Sequence, residues 1–229
     1  MKLITIAGPP SAGKTSVILR AAEHLSAKNR KIGILKFDAL ATADHLLYQK
    51  AGLPVQYGLS GGLCPDHYFI SNIETGFLWG VQQQFDYLIS ESAGLCNRCS
   101  PYITGFLAIS VVDSLSGAHT PKKTGPMLKF ADIVVITKSD IVSQAEREVF
   151  AFHVRLANPI AMILFVNGIT GQGAFGLSKC IEQAPESIAI SGETMRFTMP
   201  SSLCTYCTGE TSIGEQFCRG NLRKMRIAE

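Results

Sequence analysis

The segment 8–16, GPPSAGKTS, has the residue types and the spacing that hold a phosphate chain. In the pattern G-x-x-x-x-G-K-(S/T), the glycines let backbone N–H groups turn towards a β-phosphate, and the ammonium of Lys14 neutralises β- and γ-phosphate oxygens. The hydroxyl of Thr15 is a ligand for Mg²⁺, and the helix that follows adds the positive end of its dipole. A chance glycine-rich turn is the alternative, but an apolar segment precedes the pattern and an amphipathic segment follows it. The sequence therefore predicts a nucleoside triphosphate site formed by Gly8, Ala12, Gly13, Lys14, Thr15 and Ser16.

The segment 136–140, ITKSD, predicts which base is bound. In an (N/T)-K-x-D pattern the carboxylate of Asp140 accepts hydrogen bonds from N1–H and the 2-amino group of guanine, which adenine cannot reproduce. The alternative is that Ser139 or Asp140 caps the N-terminus of a helix. A later loop, VNGITGQG at 166–173, favours guanine. We therefore predict a GTP site in which the base is held by Thr137, Lys138, Asp140, Asn167 and Gly168.

Three acidic residues, Asp38, Glu91 and Asp113, stand at the carboxyl ends of apolar segments. In an open α/β sheet, ligands bind at this edge. Asp38 is suited to hold Mg²⁺ or to orient an attacking water, and Gly94 is placed to donate its N–H to a γ-phosphate. Each acidic residue taken alone could be an ordinary loop carboxylate. We predict Lys14, Asp38 and Glu91 as the catalytic residues, and Thr15, Asp38 and Glu91 as the Mg²⁺ ligands.

Cys64 and His67 form a thiolate–imidazole pair within SGGLCPDH, residues 60–67. Such a pair suits Zn²⁺ or Ni²⁺ but fills only half of a tetrahedral or square-planar shell. A symmetric dimer would supply the other half. The alternative is a buried thiol beside a solvent-exposed histidine. We predict a metal half-site in a glycine-rich loop.

Four further cysteines form two Cys-x-x-Cys pairs, Cys96 with Cys99 and Cys204 with Cys207. In a reducing compartment such pairs indicate metal or redox chemistry more than structural disulfides, although a redox-inert loop is the alternative. The first pair follows the predicted γ-phosphate sensor, so its ligand would respond to hydrolysis. A Cys₄ site suits Zn²⁺ and an iron–sulfur cluster equally well. The pairs can combine within one chain or between two chains, or they can form separate sites.

The elements that must position these residues alternate along the chain. Amphipathic segments near 14–28, 42–51, 70–83, 143–156 and 174–184 predict helices. Apolar segments that are continuous, as a parallel sheet covered on both faces requires, predict strands at 2–7, 31–37, 85–90, 106–112, 132–137 and 161–166. The pattern predicts an α/β fold with a three-layer, doubly wound, mostly parallel sheet of the P-loop NTPase type. Residues 1–190 would form this domain, and 191–229 a small cysteine-containing appendage.

Composition limits the class of protein and its partners. The chain has 229 residues, of which 46% are hydrophobic and 17% charged, enough for one large folded domain with a small appendage. A net charge of +3 is too small to indicate nucleic acid or an anionic membrane as a partner. The opening MKLITIAG predicts a first strand rather than a signal peptide, and no apolar segment has the length of a membrane span. We predict a cytoplasmic protein that binds neither nucleic acid nor a membrane.

The segments ESAG at 91–94 and VVDSLSGAHTPKKTGPMLKFADIVVITKSD at 111–140 resemble those of the nickel-insertion GTPases that mature urease and hydrogenase. SGGLCPDH resembles the Cys-Pro-His metal motif of the urease accessory GTPase, with Asp66 inserted before His67. The resemblance covers about residues 3–182. It implies a SIMIBI-class GTPase that forms a homodimer with nucleotide bound, carries metal at or near the dimer interface and serves a client metalloprotein. The Cys-x-x-Cys pairs are absent from that family, and the placement of the first pair resembles that of the cluster cysteine in the nitrogenase iron protein.

These observations lead to one main hypothesis and two alternatives. The main hypothesis is a GTP-hydrolysing metallochaperone or metallocentre assembly factor, with GTP, Mg²⁺ and a transition metal or iron–sulfur cluster as cofactors. The second is a nucleotide-gated 4Fe–4S electron-transfer or activator protein. The third is a small-molecule kinase with a structural zinc, against which TKSD and the acidic strand ends argue.

Overall fold

The computed structural model describes residues 1–95, 97, 99–197, 211–218 and 220–227. The strands of its sheet are β1 (Lys2–Ala7), β2 (Ile32–Asp38), β3 (Val55–Leu59), β4 (Tyr87–Glu91), β5 (Leu107–Asp113), β6 (Ile133–Thr137) and β7 (Met162–Phe165). They lie in the order β3-β2-β4-β1-β5-β6-β7, and every neighbouring pair is parallel. The predicted α/β class with a parallel sheet is confirmed.

The continuous apolar segments correspond to six of these strands. β4, which lies between β2 and β1, is buried along its whole length. β3 was not predicted, because its sequence VQYGL is short and combines polar with apolar residues. The position of β3 explains that composition, since an outer strand packs against only one neighbouring strand and remains partly exposed.

Helices cover both faces of the sheet and complete the three predicted layers. They are α1 (Lys14–Ser26), α2 (Asp44–Lys50), α3 (Pro65–Gln82), α4 (Thr120–Lys123), α5 (Pro126–Lys129), α6 (Gln144–Ala157) and α7 (Ala174–Glu182). α1 and α7 bury their apolar side chains on one face, and α3, α5 and α6 bury theirs on the other. Among the helices in the described ranges, none is long and apolar enough to cross a membrane.

α3 begins earlier than the helix predicted near 70–83. Its first residue is Pro65, which suits the first helical position because the N–H that proline lacks would have no partner there. Cys64 directly precedes the helix, and His67 lies in its first turn. The prediction that both residues lie in a glycine-rich loop is therefore wrong for His67.

The described residues after 190 pack against α3. Ile190, Met195, Ile213 and Met225 are buried in the same core cluster as the aromatic residues of that helix. Asn72 of α3 holds the C-terminal segment on both sides of its amide group. Its Nδ2 donates to the carbonyl of Arg223 at 2.9 Å, and its Oδ1 accepts from the N–H of Met225 at 2.7 Å. The division into 1–190 and 191–229 stays a prediction.

Candidate nucleotide site and its surroundings

The phosphate-binding loop joins β1 to α1, and two glycines allow its shape. Gly13 has a left-handed φ of 89°. A Cβ on Gly8 would lie 2.0 Å from the carbonyl oxygen of Val111, so only glycine fits there. The Nζ of Lys14 donates to the carbonyls of Gly8 and Pro9 at 3.0 and 2.9 Å. Burial lowers the pKa of Lys14 to about 8, although the nearby carboxylate of Glu91 acts in the opposite direction.

Glu91, at the end of β4, is the centre of a buried hydrogen-bond network. Its side chain is 1% exposed. The hydroxyl of Thr15 and the ammonium of Lys36 both donate to its Oε1, at 2.9 and 2.8 Å, and the hydroxyl of Tyr48 donates to its Oε2 at 2.6 Å. Both oxygens are therefore engaged, and the carboxylate fixes the loop residue that was predicted to bind Mg²⁺. This contact joins two of the three predicted Mg²⁺ ligands, Thr15 and Glu91.

Lys36 lies in the middle of three carboxylates. Besides Glu91, its Nζ is 2.7 Å from Asp44 Oδ2 and 3.6 Å from Asp38 Oδ2, and the lysine side chain is only 3% exposed. Burial by itself would lower the pKa of Lys36, but Glu91 and Asp44 outweigh it and raise that pKa. Burial would raise the pKa of Asp44, but its bond to Lys36 outweighs that effect and lowers it.

Sequence reasoning did not single out Lys36, Asp44 or Tyr48. The available signal for Lys36 was that it is the one basic residue inside the apolar strand IGILKFD. Tyr48 gave no such signal, because a tyrosine on a short helix is most often a packing residue. Its pKa is raised well above the usual range by burial and by the Glu91 carboxylate, so the hydroxyl keeps its proton and stays a donor.

The residues around Thr15 offer oxygen atoms to Mg²⁺ and a triphosphate. Thr15 and Asp38 carry hard oxygen atoms of the kind that Mg²⁺ prefers, while the ammonium of Lys36 already contacts the carboxylates of Asp38, Asp44 and Glu91. Gly94 lies against the phosphate-binding loop with a φ of 70°, and a Cβ there would be 1.6 Å from the carbonyl oxygen of Gly8 and 3.4 Å from Lys14 Nζ. The predicted γ-phosphate sensor and the loop are therefore in direct contact.

A cavity of about 280 Å³ lies where the base was predicted to bind. Its lining includes Ser11, Gly13, Ser16, Thr137, Lys138, Asp140, Ile141, Asn167, Gly168 and Ile169. Thr137 donates to the carbonyl of Ala12 at 2.7 Å, and the ammonium of Lys138 donates to the carbonyl of Ser11 at 2.8 Å. The cavity is thus built onto the phosphate-binding loop. A Cβ on Gly168 would lie 2.7 Å from the Cβ of Ser16, so the close approach of this loop to the first turn of α1 requires glycine.

The surroundings of this cavity show what Asn167 and Asp113 contact and which residue caps the helix after TKSD. The carboxamide oxygen of Asn167 accepts from the N–H groups of Ile169 and Thr170, so this side chain shapes its own loop. Asp113 lies 3.8 Å from the ammonium of Lys138, on the base side of the site. The helix after TKSD is capped by Ser143, so the alternative in which Ser139 or Asp140 caps a helix is wrong.

His67 is buried, and one nitrogen of its ring makes no hydrogen bond with a described residue. Its side chain is 2% exposed, and its Nε2 lies 3.2 Å from the carbonyl oxygen of Asn221, which requires Nε2 to carry the proton. Nδ1 is buried and has no hydrogen-bond partner among the described residues, so it keeps a lone pair. Burial lowers the pKa of His67, which favours the neutral imidazole that binds metals. The predicted exposed-histidine alternative is therefore wrong.

The two Cys-x-x-Cys pairs are only partly visible in the described chain. Cys99 is buried, and Cys96, Cys204 and Cys207 lie outside the described residues. Within the ranges described, no three His, Cys, Asp or Glu side chains are gathered as a metal site. Met195 pairs with Ile103, so the flank before 198–210 lies beside the segment that follows Cys99, and the N–H of Met195 donates to the carbonyl of Thr211 on the other flank. How the two pairs combine stays a prediction.

Relatives and solved structures place this site in a family. A family model described as the CobW/HypB/UreG nucleotide-binding domain matches residues 2–165. An uncharacterised protein of Methanocaldococcus jannaschii is 45% identical over 225 residues, 98% of this chain and 96% of that protein. Urease accessory protein UreG 2 of Methylorubrum extorquens is 30% identical over 199 residues, which are 79% of this chain and 92% of that protein.

Two solved structures share the fold. Hydrogenase maturation factor HypB from Archaeoglobus fulgidus gives a TM-score of 0.64 at 22% identity, covering 80% of this chain and 89% of that one. The structure of HypB from Helicobacter pylori in complex with nickel gives a TM-score of 0.64 at 19% identity, covering 80% of this chain and 86% of that one. With its phosphate-binding loop, its Glu91 network and its match to the family model over residues 2–165, the chain belongs to the CobW/HypB/UreG family of P-loop nucleotide-binding proteins.

Proposed function

We propose that this protein is a nucleotide-switched, GTP-hydrolysing metal-handling protein that supplies or assembles a metallocentre. The path of the chain after β4 carries the proposal. Glu91 accepts a hydrogen bond from Thr15, Gly94 lies against Gly8, and Cys99 follows as a buried side chain. A change at the phosphates therefore acts on the backbone that leads to the thiolates. The similarity to a urease accessory protein, and to a HypB structure that contains nickel, supports a metal as cargo.

In hydrolysis, the acidic residues Glu91 and Asp38 have different roles. Mg²⁺, when bound, would supply positive charge to the β- and γ-phosphates beside that of Lys14. Glu91 positions the Thr15 hydroxyl, and it is a poor base because both of its oxygens already accept hydrogen bonds. The carboxylate of Asp38 is 22% exposed and lies at the end of β2, so we assign it to orient the attacking water.

The cargo metal would bind through soft and borderline ligands. His67 offers Nδ1, and Cys64 stands directly before the same helix. Two ligands leave a coordination shell half filled, so we propose that a GTP-bound homodimer completes it and that hydrolysis releases the metal to a client metalloprotein. Cys96, Cys99, Cys204 and Cys207 would form a further thiolate site for zinc, nickel or a cluster.

Metal and sulfide content, measured with an absorption spectrum on protein purified without oxygen, tests the cargo. Colourless protein that holds zinc, or that takes up nickel more tightly with GTP than without it, supports the proposal. Iron with stoichiometric sulfide would identify the nucleotide-gated iron–sulfur alternative instead. Protein that binds no metal in either nucleotide state would overturn the metal-handling role. A Cys96→Ser/Cys99→Ser variant with unchanged metal content and unchanged metal dependence of GTP hydrolysis would remove the proposed coupling.

Substitution of Asp38 by Asn tests the hydrolytic assignment. We expect kcat for GTP to fall by about 100-fold or more, because the variant loses the carboxylate that orients water, while GTP binding changes little. Asp113→Asn is the matched control, since Asp113 also ends a strand but contacts Lys138 on the base side. It should weaken GTP binding and leave kcat nearly unchanged. Equal loss of kcat in both variants would contradict the assignment.

A further inference from the structure

One long side of the outer strand β3 has no partner strand among the described residues. The N–H of Ser60, just after β3, donates to the carbonyl of Asp38 in β2. Backbone groups alternate sides along a strand, so the even-numbered residues of β3 bond to β2. The N–H and C=O groups of Val55, Tyr57 and Leu59 therefore point away from the sheet, where they make no backbone hydrogen bond with another described residue.

A groove of about 710 Å³ follows this open edge. One wall carries Gln49 of α2 and the ring of Tyr57, which stacks on His45 with 4.2 Å between ring centroids. The other wall is formed by Tyr68 of α3 and by three basic residues of the C-terminal segment, Arg223, Lys224 and Arg226. Backbone donors and acceptors thus lie between an aromatic wall and a cationic wall.

Within the described ranges, the positive charge of the groove has little balancing negative charge nearby. Arg223 and Arg226 are exposed, and neither forms an ion pair with a carboxylate in the part of the chain described. Among the described carboxylates, Lys224 contacts the highly exposed Glu215 at 3.9 Å, and its ammonium also donates to the carbonyl of Ser71 at 3.2 Å. None of the described residues that line the groove is acidic. Pairing of β3 with a second copy of this chain would bring the same arginines together, and like-charge repulsion disfavours that arrangement.

We propose that this groove binds an extended acidic segment of a partner protein, which adds to the sheet as a strand beside β3. Backbone hydrogen bonds to Val55, Tyr57 and Leu59 would supply affinity. Side chains of the added strand alternate between the two walls, so the segment should alternate acidic residues, which face Arg223 and Arg226, with apolar residues, which face Tyr57. This partner site lies apart from the phosphate-binding loop and goes beyond the proposed metal and nucleotide function.

Peptide titration of the full chain without nucleotide or metal tests this site. The probe is an acetylated and amidated hexapeptide of alternating Glu and Val, and its binding is followed by calorimetry and by amide hydrogen exchange. We expect sub-millimolar binding and slower exchange at Val55, Tyr57 and Leu59, with little change at Gln56 and Gly58. A peptide of three Glu followed by three Val has the same charge and the wrong period, and should bind at least about tenfold more weakly.

Two variants separate backbone pairing from general attraction to negative charge. Tyr57→Pro removes an outward N–H that β2 does not use, and should weaken the alternating peptide about tenfold more than Tyr57→Ala, which keeps the N–H. The double variant Arg223→Glu/Arg226→Glu should weaken binding of the alternating peptide by about tenfold or more relative to the unchanged protein. Three results would each overturn the proposal. They are equal effects of the proline and alanine variants, equal binding of a single-stranded oligonucleotide of the same charge, and no binding of the peptide at about 1 mM, which is on the order of the weakest specific affinities.

Discussion

At the scale of single residues, Lys36 has the largest predicted effect on stability. Its buried ammonium contacts Glu91, Asp44 and Asp38, so replacing it with Met leaves the buried carboxylate of Glu91, and the partly exposed carboxylates of Asp44 and Asp38, without their shared cation. Removal of one partner from a buried ion pair costs about 3 to 5 kcal/mol. We expect Lys36→Met to lower the free energy of unfolding by about 3 kcal/mol, measured by urea denaturation of the nucleotide-free protein.

Two companion variants show whether the loss comes from the unpaired carboxylates. Lys31→Met removes an exposed lysine just before the same strand and should change stability by less than about 0.5 kcal/mol. Lys36→Met/Glu91→Gln removes both charges of the closest buried contact. It should be more stable than the sum of the two single losses predicts, since the double variant has no unpaired Glu91 carboxylate. Additive losses would contradict this explanation.

Asp140 is the residue that should decide the choice of base. Asp140→Asn exchanges a carboxylate that accepts two hydrogen bonds for an amide that also donates, so GTP would face an unmatched donor. We expect the affinity for GTP to fall by about 10- to 100-fold and that for xanthosine triphosphate, which offers an acceptor at the same edge, to rise. Competition binding of both nucleotides to wild type and variant measures the change. A similar loss for both nucleotides would mean that Asp140 only supports the loop.

At the scale of elements, the contact between the phosphate-binding loop and the segment after β4 depends on Gly94. A Cβ there would lie 1.6 Å from the carbonyl oxygen of Gly8, and its φ of 70° disfavours a side chain. We expect Gly94→Ala to abolish stable GTP binding, because the two segments must separate to admit the methyl group. Calorimetric titration with GTP and a parallel thermal melt measure the effect.

Gly105→Ala is the matched control for Gly94. Gly105 also has a left-handed φ, 81°, but a Cβ there would meet no atom of a described residue within 4 Å. Its replacement should cost only the strain of the backbone, about 1 to 2 kcal/mol, and should leave GTP binding unchanged. Retention of GTP binding by Gly94→Ala would show that the close contact is not required.

At the scale of the whole molecule, Arg196 joins the C-terminal segment to the sheet domain. Its guanidinium forms two hydrogen bonds to Asp132, at 2.7 and 2.8 Å, and donates to the carbonyls of Ile103, Phe106 and Phe130. The arginine side chain is 20% exposed, so part of this interaction is screened by water. We expect Arg196→Ala to cost about 1 to 3 kcal/mol and to speed hydrogen exchange at residues 190–197 more than in the central strands.

Arg30→Ala provides the comparison for that variant. Arg30 also pairs with an aspartate, but at 3.4 Å and with the arginine 53% exposed. Its loss should cost less than about 1 kcal/mol and should leave hydrogen exchange of the C-terminal segment unchanged. If both variants change exchange at 190–197 equally, Arg196 is not the specific link.

What the sequence determined by itself was local. The phosphate-binding loop, TKSD and the continuous apolar strands each depend on residues adjacent in the chain, so their residue types were enough to predict the strand–loop–helix unit and the parallel sheet. Asp38 and Glu91 were predicted at strand ends for the same reason, since parallel strands all bring their carboxyl ends to one edge.

Only the tertiary structure decided how distant segments combine. Lys36 and Tyr48 meet Glu91 because β2 lies beside β4 in the sheet, an order that no local pattern encodes. The burial of His67 under Asn221 and the open edge of β3 likewise depend on a contact across more than a hundred residues and on the place of a strand in the sheet. Such contacts form when the core closes, and burial then decides which charged groups need a partner.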